Sequence, residues 1–568
     1  MILKALYDYY YRIGNLPPYG AELKEIEFVI VIDAGGHFKR FESKRIDKKR
    51  CASFIVPKGV GRTSAPKANV LWDNGKYVLG LEDAHQECNR LFIDMISRVA
   101  SDNPDDTSIQ ALKSFYERPK DVMLDEMSRD PLFEVVKENL ASNFSFQLEG
   151  DGELIAEKLY LCREPYDDDC DDVREGVCLI TGEHSQLVRT TSATPVPGNS
   201  PMAALVGIQV NSGYDSYGKT QAYNAPISKK AEFAYTTALK AMLGKDSGNK
   251  IKIGDRVFLF WGSNNTEVSK SVEASFLDYI NMDLDKKDDP NEKLGKMEKL
   301  MRSIWSGQIQ TTLDDRFYIL GLAPNTGRIA VVSWDDITLK EFACKILQHF
   351  DDMKIADSRR PDKRRPYSGI YSMLSAITLS GKPSDVPPPL VEGTLKAITT
   401  GAHYPFALYT SALERIRADV KMPISPCRAG ILKAYINRVT RLKNNIKPLQ
   451  PMLDMTNDNP GYLCGRLAAV LEHIQSNTNG GDTIRTTYLT AASATPANVF
   501  PSMLTLSIHH SEKLTASSCV FFEKLKQEIV TMLPASGFPA RLDLIDQGRF
   551  FVGYYHQKYA LFNNTKSE

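Results

Sequence analysis

The stretch RFYILGLAPNTGRIAVVSW, residues 316–334, decides the fold class of this chain. Two strand-like runs, 316–323 and 328–334, flank Pro324-Asn325-Thr326-Gly327, and that quartet is a strong hairpin signal. Strand signals recur upstream at Glu27–Asp33 with a hairpin partner at His37–Glu42, at Ala203–Val210, and at Arg256–Trp261. Beyond about residue 336 they vanish. Helical periodicity takes over to the end, broken by Pro387-Pro388-Pro389 and by Pro448 to Pro451. The expected fold is therefore α+β and multidomain. A mixed region spans 1–345, a helical region 346–450, and an all-helical C-terminal bundle 451–568, whose apolar face carries Leu463, Leu467, Val470 and Ile474.

A length of 568 residues fits three or four domains or subdomains. Hydrophobic residues make up 42% and charged residues 25%, as in ordinary folded protein. Lys+Arg and Asp+Glu each total 70, so the net charge names no partner. The longest apolar runs, such as Phe28–Ile32 and Val257–Trp261, fall far short of the roughly 20 residues that span a bilayer. The opening MILKALYDYYYR has no apolar signal core, and nine scattered cysteines fit reduced thiols in a cytoplasm. Membrane and secreted classes are not expected.

Gly213-Tyr-Asp-Ser-Tyr-Gly218-Lys219-Thr220 matches the phosphate-binding loop G-x-x-x-x-G-K-T literally. Such a loop needs a helix starting at the lysine, whose N-terminus supplies donors and dipole. Here Pro226 follows within two turns, and the next helix is expected only after Ser228, from Lys229 to Leu243. A coincidental glycine-rich turn is the better reading, and a nucleotide-dependent enzyme built on 213–220 is the rival one. Cys162, Cys170, Cys178 and His184 offer four zinc ligands but lack the paired knuckles of structural sites. His509-His510 has no neighbouring Asp, and nothing else looks catalytic. No cofactor is expected.

Charge segregation is more informative. Lys39 to Lys67 holds ten bases against two acids, broken by glycines and prolines, and ends in Arg62-Thr63-Ser64-Ala65-Pro66-Lys67-Ala68-Asn69. Arg and Lys supply charge for phosphate, while Ser, Thr and Asn donate to phosphates or base edges. Trp72, Tyr77 and Leu79 can anchor such a loop. A second basic run is Arg359 to Tyr367, and a third runs from Lys421 to Lys447 with seven bases and no acid. In the third, Ile431, Tyr435, Val439, Leu442 and Ile446 form an expected apolar face, which would leave the bases to water or a phosphate backbone.

Blocks spread in order along the chain resemble the large subunit of type I-C CRISPR Cascade complexes. They include MILKALYDYY with Leu16-Pro17-Pro18, Val56-Pro57-Lys58, Arg62-Thr63-Ser64, Leu71-Trp72-Asp73-Asn74, and Ser216-Tyr217-Gly218-Lys219 with Asn224-Ala225-Pro226. Further blocks are Tyr318 to Asn325, Ile431 to Arg438, Ser493-Ala494-Thr495-Pro496, and Asp546 to Gln557. Gly213 lies outside this pattern, and the segment from Gly182 to Pro201 departs from it. The resemblance implies a non-catalytic subunit that binds guide RNA and target double-stranded DNA within a ribonucleoprotein. It would read the short protospacer-adjacent motif while guide pairing reads sequence. It further implies help with strand opening and R-loop stabilisation, contact with backbone and RNA-processing subunits, and recruitment of a helicase–nuclease. A separately made small subunit, corresponding to the C-terminal bundle, would begin near Met452 rather than Met422. Lys58, Arg62, Thr63, Ser64, Lys67, Asn69 and Asn74 are the expected motif readers, and Arg438, Arg441 and Lys443 the expected backbone supports.

Overall fold

The computed structural model describes residues 1–47, 50–60, 62, 66–161, 174–208, 210, 213, 217–245, 247–264, 266–281, 290–357, 359, 364–365, 367–419, 424–441, 447–479 and 484–564. The chain forms two compact units. One comprises Leu3–Thr194 with Val206–Ala241, the other Pro195–Leu205 with Met242–Glu568.

The first unit opens with α1 (Ile2–Ile13), which stops at Gly14 in the left-handed conformation. Strands β1 (Ala21–Glu25), β2 (Phe28–Ile32), β3 (Phe38–Ser43), β4 (Arg45–Asp47), β5 (Arg50–Cys51) and β6 (Ser53–Pro57) follow. Then come β7 (Trp72–Asn74), α2 (Gly75–Val78), α3 (Gln86–Asp102), α4 (Thr107–Glu117), α5 (Lys120–Ser128), α6 (Phe133–Glu138) and β8 (Asn143–Leu148). The main sheet has the order β3-β2-β8-β7, with β2 and β8 parallel and the outer pairs antiparallel. All five β2 residues are buried, as expected of a central strand covered on both faces. Its core joins Phe28, Ile30, Phe144 and Phe146 to Phe92 of α3 and Phe115 of α4. Strands β1 and β6 pair separately, and the Lys58 amide continues that ladder to the Gly20 carbonyl at 2.8 Å. The unit closes with β9 (Glu175–Val177), β10 (His184–Gln186) and α7 (Lys229–Leu243). Two expectations are met here, the 28–43 hairpin and a helix at 229–243. Among the described residues of 203–210, however, no strand forms, only an isolated bridge from Ala204 to Arg328.

The second unit holds the antiparallel sheet β11 (Lys250–Ile253), β12 (Arg256–Gly262), β13 (Arg316–Asn325) and β14 (Arg328–Thr338). Helices α8 (Glu267–Asn281) and α9 (Pro290–Ser306) are inserted between β12 and β13. Then α10 (Leu339–Met353) starts on a capping box, Thr338 with Glu341. After it come α11 (Ile370–Ala376), α12 (Pro388–Thr400), α13 (Phe406–Ala418), α14 (Pro426–Thr440) and α15 (Pro460–Asn479). The last four helices are α16 (Leu489–Ala494), α17 (Pro496–Ser511), α18 (Ala516–Thr531) and α19 (Leu544–Asn564). Phe258, Phe260, Phe317 and Ile319 pack on Phe276 of α8, Met301 of α9 and Phe342 of α10. The same core runs on through α13 and α14 into α15 and α19. The expected boundaries at 345 and 450 therefore do not separate cores: the hairpin's apolar face needs the helices that follow it. The Tyr409 hydroxyl of α13 donates to the Leu544 carbonyl at 2.6 Å, across the expected 450/451 division.

Candidate nucleic-acid interface

Pro57 ends β6 and Trp72 begins β7, so residues 58–71 connect two anchored strand ends, and their described residues carry the loop. The Trp72 indole is buried and donates to the Pro57 carbonyl at 2.8 Å, with the Lys24 ammonium 4.9 Å above its ring. Next to it Asp73, 1% exposed, organises the loop. Its Oδ2 accepts from the Asn69 amide at 2.9 Å and from the Arg62 guanidinium, and its Oδ1 accepts from the Asn74 amide at 2.8 Å. Burial pushes the Asp73 carboxyl above its ordinary pKa, opposed by the Asn69 amide and Arg62. A buried carboxylate needs such partners to stay charged. Arg62 also donates to the Lys67 carbonyl at 2.7 Å and lies 4.0 Å over the Tyr77 ring.

The readers expected from sequence thus separate into different positions. Asn69 is buried, and its Oδ1 accepts from the Val60 amide at 2.9 Å. Asn74 caps α2 by accepting from the Lys76 amide at 3.1 Å. Arg62, Asn69 and Asn74 are spent on holding the loop. Lys58 and Lys67 instead line an open cavity beside it. The Lys58 ammonium reaches the Ser192 hydroxyl at 3.3 Å and lies 5.7 Å from the Phe233 ring. Thr63 and Ser64 lie outside the described residues. In sequence Asp73 stands out only within the block Leu71-Trp72-Asp73-Asn74, its signal being an acid directly after the anchoring tryptophan.

Folding also neutralises most of the first basic run. Lys39 pairs with Asp33 at 3.1 Å, Lys44 with Glu42 at 2.7 Å, Arg50 with Asp47 at 2.7 Å, and Arg45 with Glu27. Asp33, Glu27 and Asp73 lie outside the counted window, which is why the local excess of charge overstated the free charge.

The third basic run departs furthest from expectation. Arg438 is 3% exposed, with its guanidinium on Asp352 at 2.7 Å, on the carbonyls of Ala397 and Ala402 at 2.6 Å each, and over Tyr404 at 4.0 Å. Lys433, 1% exposed, donates to the carbonyls of Asp351 and Asp352 at 2.9 and 2.8 Å, capping α10. Burial lowers its ammonium to about 8. Arg428 is buried between the Ala376 carbonyl at 2.8 Å and Asp419 at 2.6 Å. So α14 is buried nearly all round, and Arg428, Lys433 and Arg438, expected in water, are inside. A phosphate-facing Arg438 does not fit this packing. Arg441, on the same Asp352, remains 39% exposed, and Lys443 lies outside the described residues. In the second run Arg359 is held by Asp357, while Arg360 and Lys363 lie outside the described residues.

At the glycine-rich turn, α7 starts at Lys229, and only a single 3-10 turn, Gln221–Asn224, lies between it and Lys219. The helix N-terminus that a phosphate loop requires is not at Lys219. Cys178 is buried, its Sγ accepting from the Ser228 amide at 3.3 Å. Burial raises the thiol, but hydrogen bonds from Ser228 and the Thr181 and Ile180 amides prevail and bring it to about 7. Cys162 and Cys170 lie outside the described residues, and among the described residues no group of three His, Cys, Asp or Glu side chains could hold a metal. No described helix is long and apolar enough to cross a membrane.

No curated protein matches the chain. A family model described as CRISPR-associated protein (Cas_Csd1) matches residues 6–562. Covering nearly the whole length, that match shows that the chain belongs to the Cas_Csd1 family, the large subunits of the type I-C CRISPR Cascade.

Proposed function

We propose that this chain is the non-catalytic Cascade subunit that binds target double-stranded DNA in the cytoplasm, recognises its protospacer-adjacent motif, and assists strand opening and R-loop stabilisation. The observation that carries this reading is the loop hung on Asp73. It presents Lys58 and Lys67 beside a base of Trp72, Arg62 and Asn69, and Thr63 and Ser64 belong to the same segment by sequence. A loop held at its root can present charge and short donors to a duplex without losing much conformational freedom on binding. Base pairing with guide RNA then reads the remaining sequence, and the helical part of the second unit serves the backbone, RNA-processing and small subunits and the incoming helicase–nuclease.

The test separates two kinds of contact in the assembled complex. Thr63→Ala with Ser64→Ala is expected to cost roughly 1–3 kcal/mol on motif-bearing DNA and nothing on DNA lacking the motif. Lys58→Ala with Lys67→Ala is expected to weaken both DNAs alike. If all four substitutions together leave target binding at the wild-type level, the motif is read elsewhere.

A further inference from the structure

Between the 58–71 loop and α3 lies a cavity of about 290 Å³, wholly within the first unit. Helix α3 gives it two parallel stripes at four-residue spacing. Leu91, Met95 and Val99 form an apolar wall, and Asp94, Arg98 and Asp102 form a polar edge beside it. Pro66, Ala68 and Val70 of the loop close the opposite wall, and Lys58 and Lys67 stand on the loop side. Among the described residues, Asp94 and Arg98 are drawn into no side-chain hydrogen bond or ion pair.

We propose that this cavity receives one unstacked base of the target DNA, next to the motif, when the strands open. Resting on the DNA-binding reading above, this adds a ligand to it. An apolar slot between two walls suits the faces of a planar base. The alternating carboxylate and guanidinium edge suits its ring N–H, amino and carbonyl groups, whereas a purely aliphatic side chain would leave those charges unanswered. The lysines lie where the phosphate of a base entering the slot would pass. The slot, closed on two sides, takes a base only once that base has left its pair and its stack. It would therefore act only on opened DNA, holding the first separated nucleotide against re-pairing.

The experiment uses the assembled complex and motif-bearing duplexes with a single abasic nucleotide placed in turn beside the motif. At one position the abasic site is expected to weaken wild-type binding about tenfold, within the worth of one stacked base. Met95→Trp, which fills the cavity, is expected to weaken intact target by the same factor and to bind that abasic target as wild type does. Should Met95→Trp fail to assemble, Arg98→Ala at an exposed helix position makes the same comparison. Wild-type affinity for intact target in these variants, or an abasic penalty that survives cavity filling, overturns the proposal. So does loss of guide RNA from the purified variants, which would assign the cavity to the guide. If Lys58→Ala with Lys67→Ala weakens binding while the cavity variants do not, the cavity proposal alone fails. If neither set matters, the interface reading fails with it.

Discussion

At Asp352 three bases meet one buried acid, and this arrangement reverses what their sequence suggested. Arg438, Arg441 and Lys433 all turn toward the end of α10, and the carboxylate is 2% exposed. Removing Arg438 would leave that charge without its buried partner, which costs about 3–5 kcal/mol in comparable buried pairs. Arg438→Ala is thus expected to lower the melting temperature of the chain without changing the salt dependence of DNA binding. Arg441→Ala, at a half-exposed position, is expected to cost about 1 kcal/mol or less. A flattened salt slope with unchanged melting in Arg438→Ala would restore the strand-facing role. The ionic partner sits 86 residues before Arg438, so no local count of charge could have found it.

The same site contains His349, held between the hydroxyls of Tyr279 at 2.7 Å and Tyr404 at 2.6 Å. Burial, aided by the Arg438 charge, pushes its pKa down to about 3; burial does the same to His556 in α19. Both are neutral when folded and take up a proton near 6.5 when unfolded. Their contribution is fully present above pH 6.5 and is lost as pH falls from there toward 3. Each costs up to about 1.4 kcal/mol per pH unit in that window. Denaturant titrations at pH 7 and pH 5 measure this, and His349→Gln is expected to show a shallower loss of stability between them.

Elements with local signals were legible and those set by partners were not. The 316–334 hairpin, the 28–43 hairpin, α1, α3 and α7 follow from turn chemistry and periodicity. Strand β8 carries a local signal that the sequence reading leaves unused: Phe144, Phe146 and Leu148 alternate with Asn143, Ser145 and Gln147, and the strand pairs with β2 and β7. The run at 203–210 has strand-like composition, but among its described residues only the Ala204–Arg328 bridge forms. The register of α15 against α19 is set by glycines rather than by the leucines that marked its apolar face. A Cβ on Gly465 would meet the Phe550 carbonyl oxygen, and one on Gly553 would meet Tyr462 backbone. Gly465→Ala is expected to destabilise by about 1–3 kcal/mol, against the helix propensity of alanine. Gly295→Ala in α9, where a Cβ meets nothing within 4 Å, is expected to stabilise by up to about 1 kcal/mol. Equal effects at both positions, measured by chemical denaturation, would contradict the close helix packing.

For the whole molecule, the α+β class was readable from where strands stop, while the division into units was not. Sequence places the change at the last strand; packing places it after Ala241, because β11–β14 share a core with every later helix. This bears on the small subunit expected from the C-terminal bundle. A start at Met452 gives 117 residues and retains α15 to α19 entire. It removes the partners of α19 upstream, including Tyr409 on Leu544 and the Ala356 carbonyl that accepts from Tyr555 at 2.6 Å. The separate product is therefore expected to be less stable alone than docked in the complex. Intact mass of the smallest co-purifying band locates its start. Absence of that band, with full activity after Met452→Leu and Met455→Leu, would remove the idea.

The most direct test of the Asp73-anchored loop as the DNA face is the salt dependence of target binding. The assembled wild-type complex and the Lys58→Ala, Lys67→Ala double variant are titrated with motif-bearing duplex across a series of salt concentrations. Losing two phosphate contacts is expected to flatten the slope of log affinity against log salt by about 1.8. A slope identical to wild type would contradict the claim that this loop meets DNA.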